Sequence, residues 1–144
     1  MRVRAERIMW KTAEQQGPVV LLVEDDEDLR ELTAQMLEMR GFVVLSAKDP
    51  VSALMACRVH DGSIDVLLTD LGLPGVSGGE LSRSAAAVRP GMKVVYVSGV
   101  PEEIAIKRGL IKAGSPFISK PYTADVLAGT LRTVLAQTSP TPNW

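Results

Sequence analysis

The sequence predicts an α/β protein in which five parallel strands alternate with five helices. Short apolar runs recur along the chain, segments with helical spacing of apolar residues separate them, and several runs end at a polar residue before a turn signal. Short apolar runs bounded by turns are typical of strands buried on both faces. Strands that alternate with helices favour a parallel sheet with helices on both faces and right-handed crossovers.

Five apolar runs are the predicted strands. They cover residues 18–23, 42–46, 64–69, 93–98 and 117–119. The third run leads directly to Asp70, and the loop Leu71-Gly72-Leu73-Pro74-Gly75 follows at once. Because ligand chemistry in open parallel sheets gathers outside the carboxyl ends of the strands, Asp70 is the first candidate for a reacting group.

The helices are predicted from apolar spacing, caps and stop signals. The first helix follows residues 24–26 and stops at Gly41, and the second begins at Pro50 after Asp49. The third helix covers about 80–88. The fourth begins at Pro101, and the last begins at Thr123 or Ala124. The fourth is predicted to be weak because Gly109 interrupts it.

Several apolar side chains of these helices are predicted to be buried. The last helix is expected to face inward with Val126, Leu127, Leu131, Val134 and Leu135. Met36, Met39 and Met55 are expected to fill the core or its margin, and Cys57 is interpreted as a packing residue of the second helix.

Composition excludes several classes of protein. The 144 residues suffice for one domain with a sizeable core, and a net charge of −1 gives no electrostatic case for nucleic acid or an anionic membrane. No run is long enough to span a membrane, and a single cysteine excludes an internal disulfide framework, so a cytoplasmic location is expected. The single histidine, His60, excludes a histidine cluster and is interpreted as a surface residue.

Polar residues stand at the ends of four predicted strands. These residues are Glu24, Asp25, Asp70, Ser98 and Lys120. In a parallel sheet all these ends lie on one edge, so we expect three carboxylates, a hydroxyl and an ammonium group to be close together. Crowded carboxylates repel each other and favour a cation, and Mg²⁺ prefers oxygen ligands. The lysine and the hydroxyl are suited to phosphoryl oxygens, and an aspartate can act as a nucleophile toward phosphorus.

From residue 18 to about 137, the pattern closely resembles the receiver (response-regulator) domain of two-component signalling. The matching stretches are Leu22-Val23-Glu24-Asp25-Asp26, Leu68-Thr69-Asp70-Leu71-Gly72-Leu73-Pro74-Gly75, Val97-Ser98-Gly99 and Phe117-Ile118-Ser119-Lys120-Pro121. Each stretch is weak alone, but four in this order are highly specific. The stretch Tyr96-Val97-Ser98-Gly99 is similar to receivers of hybrid histidine kinases.

The resemblance implies a phosphorylation and metal site. Asp70 corresponds to the phosphoacceptor, which takes a phosphoryl group from the phosphohistidine of a histidine kinase or histidine phosphotransfer protein. Asp25 corresponds to a direct Mg²⁺ ligand, and Glu24 acts through water. The carbonyl of Gly72 is the implied third protein ligand.

The resemblance also implies a switch and a fold. Ser98 corresponds to the hydroxyl that reorients toward the phosphoryl group, and Lys120 to the lysine that pairs with it. Phe117 occupies the position of the switch aromatic, often Tyr, and lacks the hydroxyl. Gly99 is a mild departure from the family pattern, in which a small residue, commonly alanine, occupies this position. The Lys120-Pro121 bond is often cis in this family, whose sheet is doubly wound and flavodoxin-like with strand order 2-1-3-4-5.

The predicted function is therefore a phosphoaccepting switch that signals through protein contact and is not an enzyme beyond self-catalysed phosphotransfer and slow autodephosphorylation. The alternative is a Mg²⁺-dependent phosphohydrolase, which typically carries a second acid where this chain has Gly72. A nucleotide- or flavin-binding module would need a Gly-rich phosphate loop after the first strand, where this chain has acids. Whether the chain forms a homodimer is left open.

The predicted domain organisation is simple. Residues 1–17 are interpreted as an N-terminal extension or linker, 18–138 as the receiver domain, and 139–144 as a flexible tail. The residues after Leu135 are too few for a DNA-binding or enzymatic output domain. We therefore expect either output through another protein or one domain of a larger chain.

Overall fold

A computed structural model of the protein describes residues 17–137. Its five strands are β1 (Val19–Val23), β2 (Val43–Ala47), β3 (Val66–Asp70), β4 (Lys93–Ser98) and β5 (Phe117–Ser119). Its five helices are α1 (Glu27–Glu38), α2 (Pro50–Val59), α3 (Gly78–Val88), α4 (Glu102–Lys107) and α5 (Ala124–Ala136). The predicted extension and tail lie outside the described residues, apart from Gly17.

All strand pairings in the sheet are parallel, and the strand order is β2-β1-β3-β4-β5. This confirms the predicted fold class and the implied order. The central strands β1 and β3 are almost completely buried because helices cover both faces of the sheet. Alternate residues of β1 point to opposite faces, so Val20 and Leu22 enter one core layer while Leu21 and Val23 enter the other. None of the described helices combines the length and apolarity needed to cross a bilayer.

Side-chain caps fix where four of the helices begin. The side chains of Asp26, Asp49, Ser77 and Thr123 each accept a hydrogen bond from a backbone N–H in the first turn of the helix that follows. By contrast, α4 has only six residues, no side-chain cap and one buried residue, Ala105. The weakness predicted for the fourth helix is therefore confirmed.

Element bounds differ from the predictions at two informative places. The strand β3 begins at Val66 rather than Ile64, and the carboxylate of Asp65, just before the strand, accepts a hydrogen bond of 2.7 Å from the Val19 backbone N–H. The helix α3 begins at Gly78 rather than Glu80, because Ser77 is its cap. Both glycines of the Gly78-Gly79 pair therefore lie inside the first turn.

Three predictions of buried side chains are wrong. Val126 is exposed because Leu127, Ala128, Leu131 and Val134 form the inward face of α5. Met39 is exposed because it caps the end of α1. Met55 is exposed because α2 turns Pro50, Ala53 and Cys57 toward the sheet, and Met55 lies on the opposite side of the helix. The predicted burial of Cys57 is confirmed.

Candidate functional site

The polar strand-end residues meet at one edge of the sheet. Asp70 and Ser98 are the last residues of β3 and β4, and Lys120 follows β5 directly. One carboxylate oxygen each of Glu24, Asp25 and Asp70 lies within 4.8 Å of the others. The parallel register brings these groups together although they lie far apart in the sequence.

Lys120 joins two of the carboxylates. Its Nζ donates to Glu24 Oε1 at 2.8 Å and also to Asp70 Oδ2. The Lys120 backbone N–H donates to the carbonyl of Ser98 at 2.9 Å, which fixes the residue beside the end of β4. The Lys120-Pro121 peptide bond is cis, in line with the expectation from the resemblance.

Burial and the ion pairs between them shift the pKa values of Glu24 and Lys120. Burial raises the pKa of the Glu24 carboxyl, and the hydrogen bond from Lys120 only partly opposes that effect. Burial alone would lower the pKa of Lys120, but hydrogen bonds and charges from Asp70 and Glu24 outweigh it, so the pKa of the lysine is raised. The ammonium therefore stays charged while it faces the carboxylates.

Asp70 is held at both oxygens. While Oδ2 pairs with Lys120, Oδ1 accepts a hydrogen bond of 2.8 Å from the Gly72 backbone N–H. Its side chain is 11% exposed, so the carboxylate is shielded but reachable. Gly72 therefore binds Asp70 through its N–H, and the metal-ligand role of its carbonyl stays a prediction.

Three residues that the sequence reading missed support this arrangement. Arg30 Nη1 donates to the Glu24 carbonyl at 2.9 Å, and Thr69 Oγ1 donates to the Asp70 carbonyl at 3.0 Å. Gly78 packs so closely on Asp70 that an added Cβ would lie 2.4 Å from the Asp70 carbonyl oxygen. The paired glycines at the start of α3 were the one available signal, but only the fold shows what lies against them.

Ser98 and Phe117, the two predicted switch residues, lie in different surroundings. Ser98 is buried, and its Oγ accepts a hydrogen bond of 3.0 Å from the Val100 backbone N–H. Phe117 is half-buried against a small cluster that includes Leu71, which follows Asp70, and Ala105 of α4. The ring therefore packs against a cluster that joins the loop after Asp70 to α4.

The sequence profile of the response regulator receiver domain matches residues 20–132. The chain belongs to this family. Receiver domains are phosphoacceptor modules of two-component signalling.

Relatives of known sequence include other two-component proteins. The receiver is 31% identical over 116 residues to the sensor kinase CckA of Brucella abortus, covering 81% of this chain and 12% of the kinase. It is 30% identical over 120 residues to the transcriptional regulatory protein CreB of Escherichia coli, covering 83% of this chain and 52% of CreB. The chain thus spans from about an eighth to about half of the length of these relatives.

Solved receiver structures share the fold. The receiver domain of the hybrid histidine kinase CckA is 30% identical, with a TM-score of 0.68, and covers 81% of this chain and 98% of that one. A receiver domain from Clostridium thermocellum is 25% identical with a TM-score of 0.72, covering 82% of this chain and 94% of that one.

The donor set of the receiver fits a hard divalent cation. Glu24, Asp25 and Asp70 offer only carboxylate oxygens, which Mg²⁺ prefers over nitrogen or sulfur ligands. The ammonium of Lys120 pairs with two of these three carboxylates, those of Glu24 and Asp70, so negative charge remains to be neutralised. The residues present are therefore compatible with a bound magnesium ion.

Proposed function

We propose that this receiver accepts a phosphoryl group on Asp70 from the phosphohistidine of a histidine kinase or histidine phosphotransfer protein, and signals through protein contact. The observation that carries the proposal is the environment of Asp70. Its carboxylate lies at the sheet edge, paired with Lys120, bound by the Gly72 N–H and close to two further acids. Membership of the receiver family and the likeness to the CckA receiver support it.

The proposed transfer needs no further reactant. An oxygen of Asp70 attacks the phosphorus, the bond between phosphorus and the donor imidazole nitrogen breaks, and the imidazole, which carries a proton on its other nitrogen, leaves as a neutral group with the bonding electron pair. The product is an acyl phosphate on Asp70. Lys120 supplies a positive charge within hydrogen-bond distance of the Asp70 carboxylate. That charge stabilises the negative charge on the phosphoryl oxygens.

Replacing Asp70 with asparagine is expected to abolish phosphorylation. The amide keeps the shape of the side chain but is a far weaker nucleophile than the carboxylate. With Mg²⁺ and a small phosphodonor such as acetyl phosphate, intact-mass spectrometry should show one added phosphoryl group on the native protein and none on Asp70→Asn. Asp61→Asn, which changes an exposed acid, is the matched control and should be phosphorylated normally. A stable phosphoryl group on Asp70→Asn would contradict the proposal.

We further propose that Glu24, Asp25 and Asp70 hold a magnesium ion, with the Gly72 carbonyl as a further ligand and Glu24 acting through water. When bound, the ion supplies positive charge that neutralises the carboxylates and the incoming phosphoryl oxygens. Asp25 is exposed, so its carboxylate is available to an ion from solvent.

Asp25→Asn is expected to weaken Mg²⁺ binding at least about tenfold, because a hard cation loses one anionic oxygen ligand. It should also stabilise the metal-free fold slightly, because it relieves repulsion between carboxylates. Calorimetric titration measures the first effect and denaturant unfolding without metal the second. Asp26→Asn is the neighbouring control, since Asp26 caps α1 rather than joining the three-carboxylate group. Unchanged Mg²⁺ affinity in Asp25→Asn would count against the assignment.

We propose that the signal leaves the site through Ser98 and Phe117. The Ser98 hydroxyl must leave its bond with the Val100 N–H to reach a phosphoryl oxygen, and this pulls the loop before α4. The ring of Phe117 then turns into the space that opens. Because α4 is short and weakly anchored, it belongs to the part of the fold that can move at low cost.

Amide hydrogen exchange tests this route. Beryllofluoride, a mimic of the phosphoryl group, is expected to change protection in residues 98–122 as well as in the loop after Asp70. The Ser98→Ala variant should lose the distant part of that response, since it has no hydroxyl to reorient. Changes confined to the loop after Asp70 in the native protein would refute the route.

A further inference from the structure

The outer face of α2 carries an exposed apolar stripe. Val51, Met55 and Val59 are 75%, 52% and 68% exposed. Residues four apart lie on the same side of a helix, so these side chains form one row about 12 Å long. Exposed apolar residues that are contiguous, unlike scattered ones, mark interaction surfaces.

The stripe belongs to a rigid element. The opposite side of α2 is buried through Pro50, Ala53 and Cys57. At the end of the helix, Arg89 donates hydrogen bonds of 2.8, 2.6 and 2.5 Å to the carbonyls of Cys57 in the last turn and of Gly62 and His60 just after it. The face is therefore already formed before any partner arrives, which lowers the cost of binding.

Charge is almost absent from this helix. Arg58 is the one charged residue of α2, and it lines a neighbouring hollow together with Val88 and Arg89. No acid or base interrupts the row from Val51 to Val59. A highly charged partner surface would therefore form few ion pairs with this helix, and an apolar surface fits better.

We propose that the α2 stripe binds the same stripe of a second copy of this chain, with the two helices antiparallel about a two-fold axis at Met55. The row is symmetric in composition, with valine four residues before and four residues after the methionine. An antiparallel arrangement places Val51 of one copy against Val59 of the other, and Met55 against Met55. A self-complementary surface of this kind is what a two-fold interface requires.

The charges that flank α2 match the same arrangement. Lys48 lies two residues before the helix and Asp61 two residues after it, and both are exposed. Antiparallel pairing brings Lys48 of one copy beside Asp61 of the other at both ends of the contact. Parallel pairing would instead bring like charges together, so the charges favour the antiparallel dimer.

The predicted dimer is reversible and independent of phosphorylation. One helix from each copy buries less than the roughly 800 Å² per partner of a stable interface, so it should dissociate on dilution. The stripe does not include any residue of the carboxylate site, so Asp70→Asn should leave dimerisation unchanged. That independence separates a failure of this inference from a failure of the proposed phosphoacceptor function.

Sedimentation velocity of the full chain over a range of concentrations tests the proposal. The native protein should show a monomer–dimer equilibrium, and Met55→Glu should raise the dissociation constant at least about tenfold. Met39→Glu is the matched control, because Met39 is 82% exposed on the cap of α1, outside the stripe. A chain that stays monomeric at all concentrations overturns the proposal, as does a dimer that Met55→Glu does not weaken.

Two further measurements test the antiparallel geometry. Lys48→Glu and Asp61→Lys should each weaken the dimer, and the double variant should restore it because both pairs are reversed. Only residues on the two-fold axis meet their own copies, so mild oxidation should crosslink Met55→Cys but neither Val51→Cys nor the native protein with its buried Cys57. Failure of the double variant to recover, or crosslinking of Val51→Cys alone, would contradict the arrangement.

Discussion

Replacing Gly78 with alanine is expected to lower the free energy of unfolding by about 2–3 kcal/mol and to slow phosphorylation of Asp70. An added Cβ would lie 2.4 Å from the Asp70 carbonyl oxygen and 3.1 Å from the Leu71 Cα. Both are backbone atoms, which cannot rotate away as the end of a long side chain can, and overpacking of this kind typically costs about 1–3 kcal/mol. Relief of the clash must move the end of β3, which carries the reacting carboxylate.

Helix propensity predicts the opposite sign for this substitution. Alanine is favoured over glycine by about 1 kcal/mol in a helix interior, so without the clash Gly78→Ala would stabilise α3. The buried clash is the larger effect, and its sign in a urea unfolding experiment decides between the two. Gly91→Ala is the neutral control, since no atom outside its chain neighbours lies within 4 Å of a Cβ there.

Gly79→Ala separates stability from positioning. Its Cβ would approach the Leu110 carbonyl oxygen at 2.8 Å, far along the chain from Asp70. We therefore expect Gly79→Ala to lose stability but to keep a nearly normal rate of phosphorylation under conditions where it is folded. Equal rates for Gly78→Ala and the native protein would show that the close approach does not position Asp70.

The location of the strand-end residues could be predicted because, in a parallel sheet, the position of a residue along its strand decides which edge of the sheet it occupies. Once five buried runs alternate with helices, the residue at the end of each run must lie on one edge of the sheet. The structure places Asp70, Ser98 and Lys120 there without any long-range contact having been needed to find them. The start of α2 could also be predicted, because it depends on neighbouring residues only. Asp49 is the N-cap and Pro50 the first helical residue, as their preferences predict.

What the sequence did not reveal depends on neighbours that are distant in the chain. The apolar spacing within α2 does not say which side meets the sheet, and the small residues Ala53 and Cys57 allow the close packing that leaves Met55 outside. The contact of Gly78 with Asp70 depends on how α3 sits over β3. Likewise, nothing local shows that Lys120 pairs with Glu24 as well as with Asp70.

Replacing Lys120 with methionine is expected to abolish phosphorylation and to lower the free energy of unfolding at neutral pH without divalent cations. The substitution keeps much of the aliphatic stem but leaves Glu24 and Asp70 facing each other without a positive charge. Removing one partner of a fully buried ion pair costs about 3–5 kcal/mol, but the lysine side chain is 24% exposed, so we expect roughly 2 kcal/mol. Lys112→Met, at an exposed lysine, should change little.

The pH dependence of that loss follows from Glu24, whose pKa is raised by burial above its ordinary value of 4.5. The hydrogen bond from Lys120 lowers the pKa of Glu24, so the loss of that bond raises the pKa of Glu24 further. A carboxyl whose pKa is higher in the folded state than in the unfolded state favours folding at low pH, and this contribution is lost as pH rises through the folded-state pKa. The deficit of Lys120→Met relative to the native protein should therefore be small near pH 4.5, grow toward neutrality and shrink when Mg²⁺ is added.

Adding Glu24→Gln to the variant should remove most of the pH dependence, because no proton then binds at that position. A deficit that stays constant across this range in urea unfolding would show that Lys120 acts through packing rather than charge.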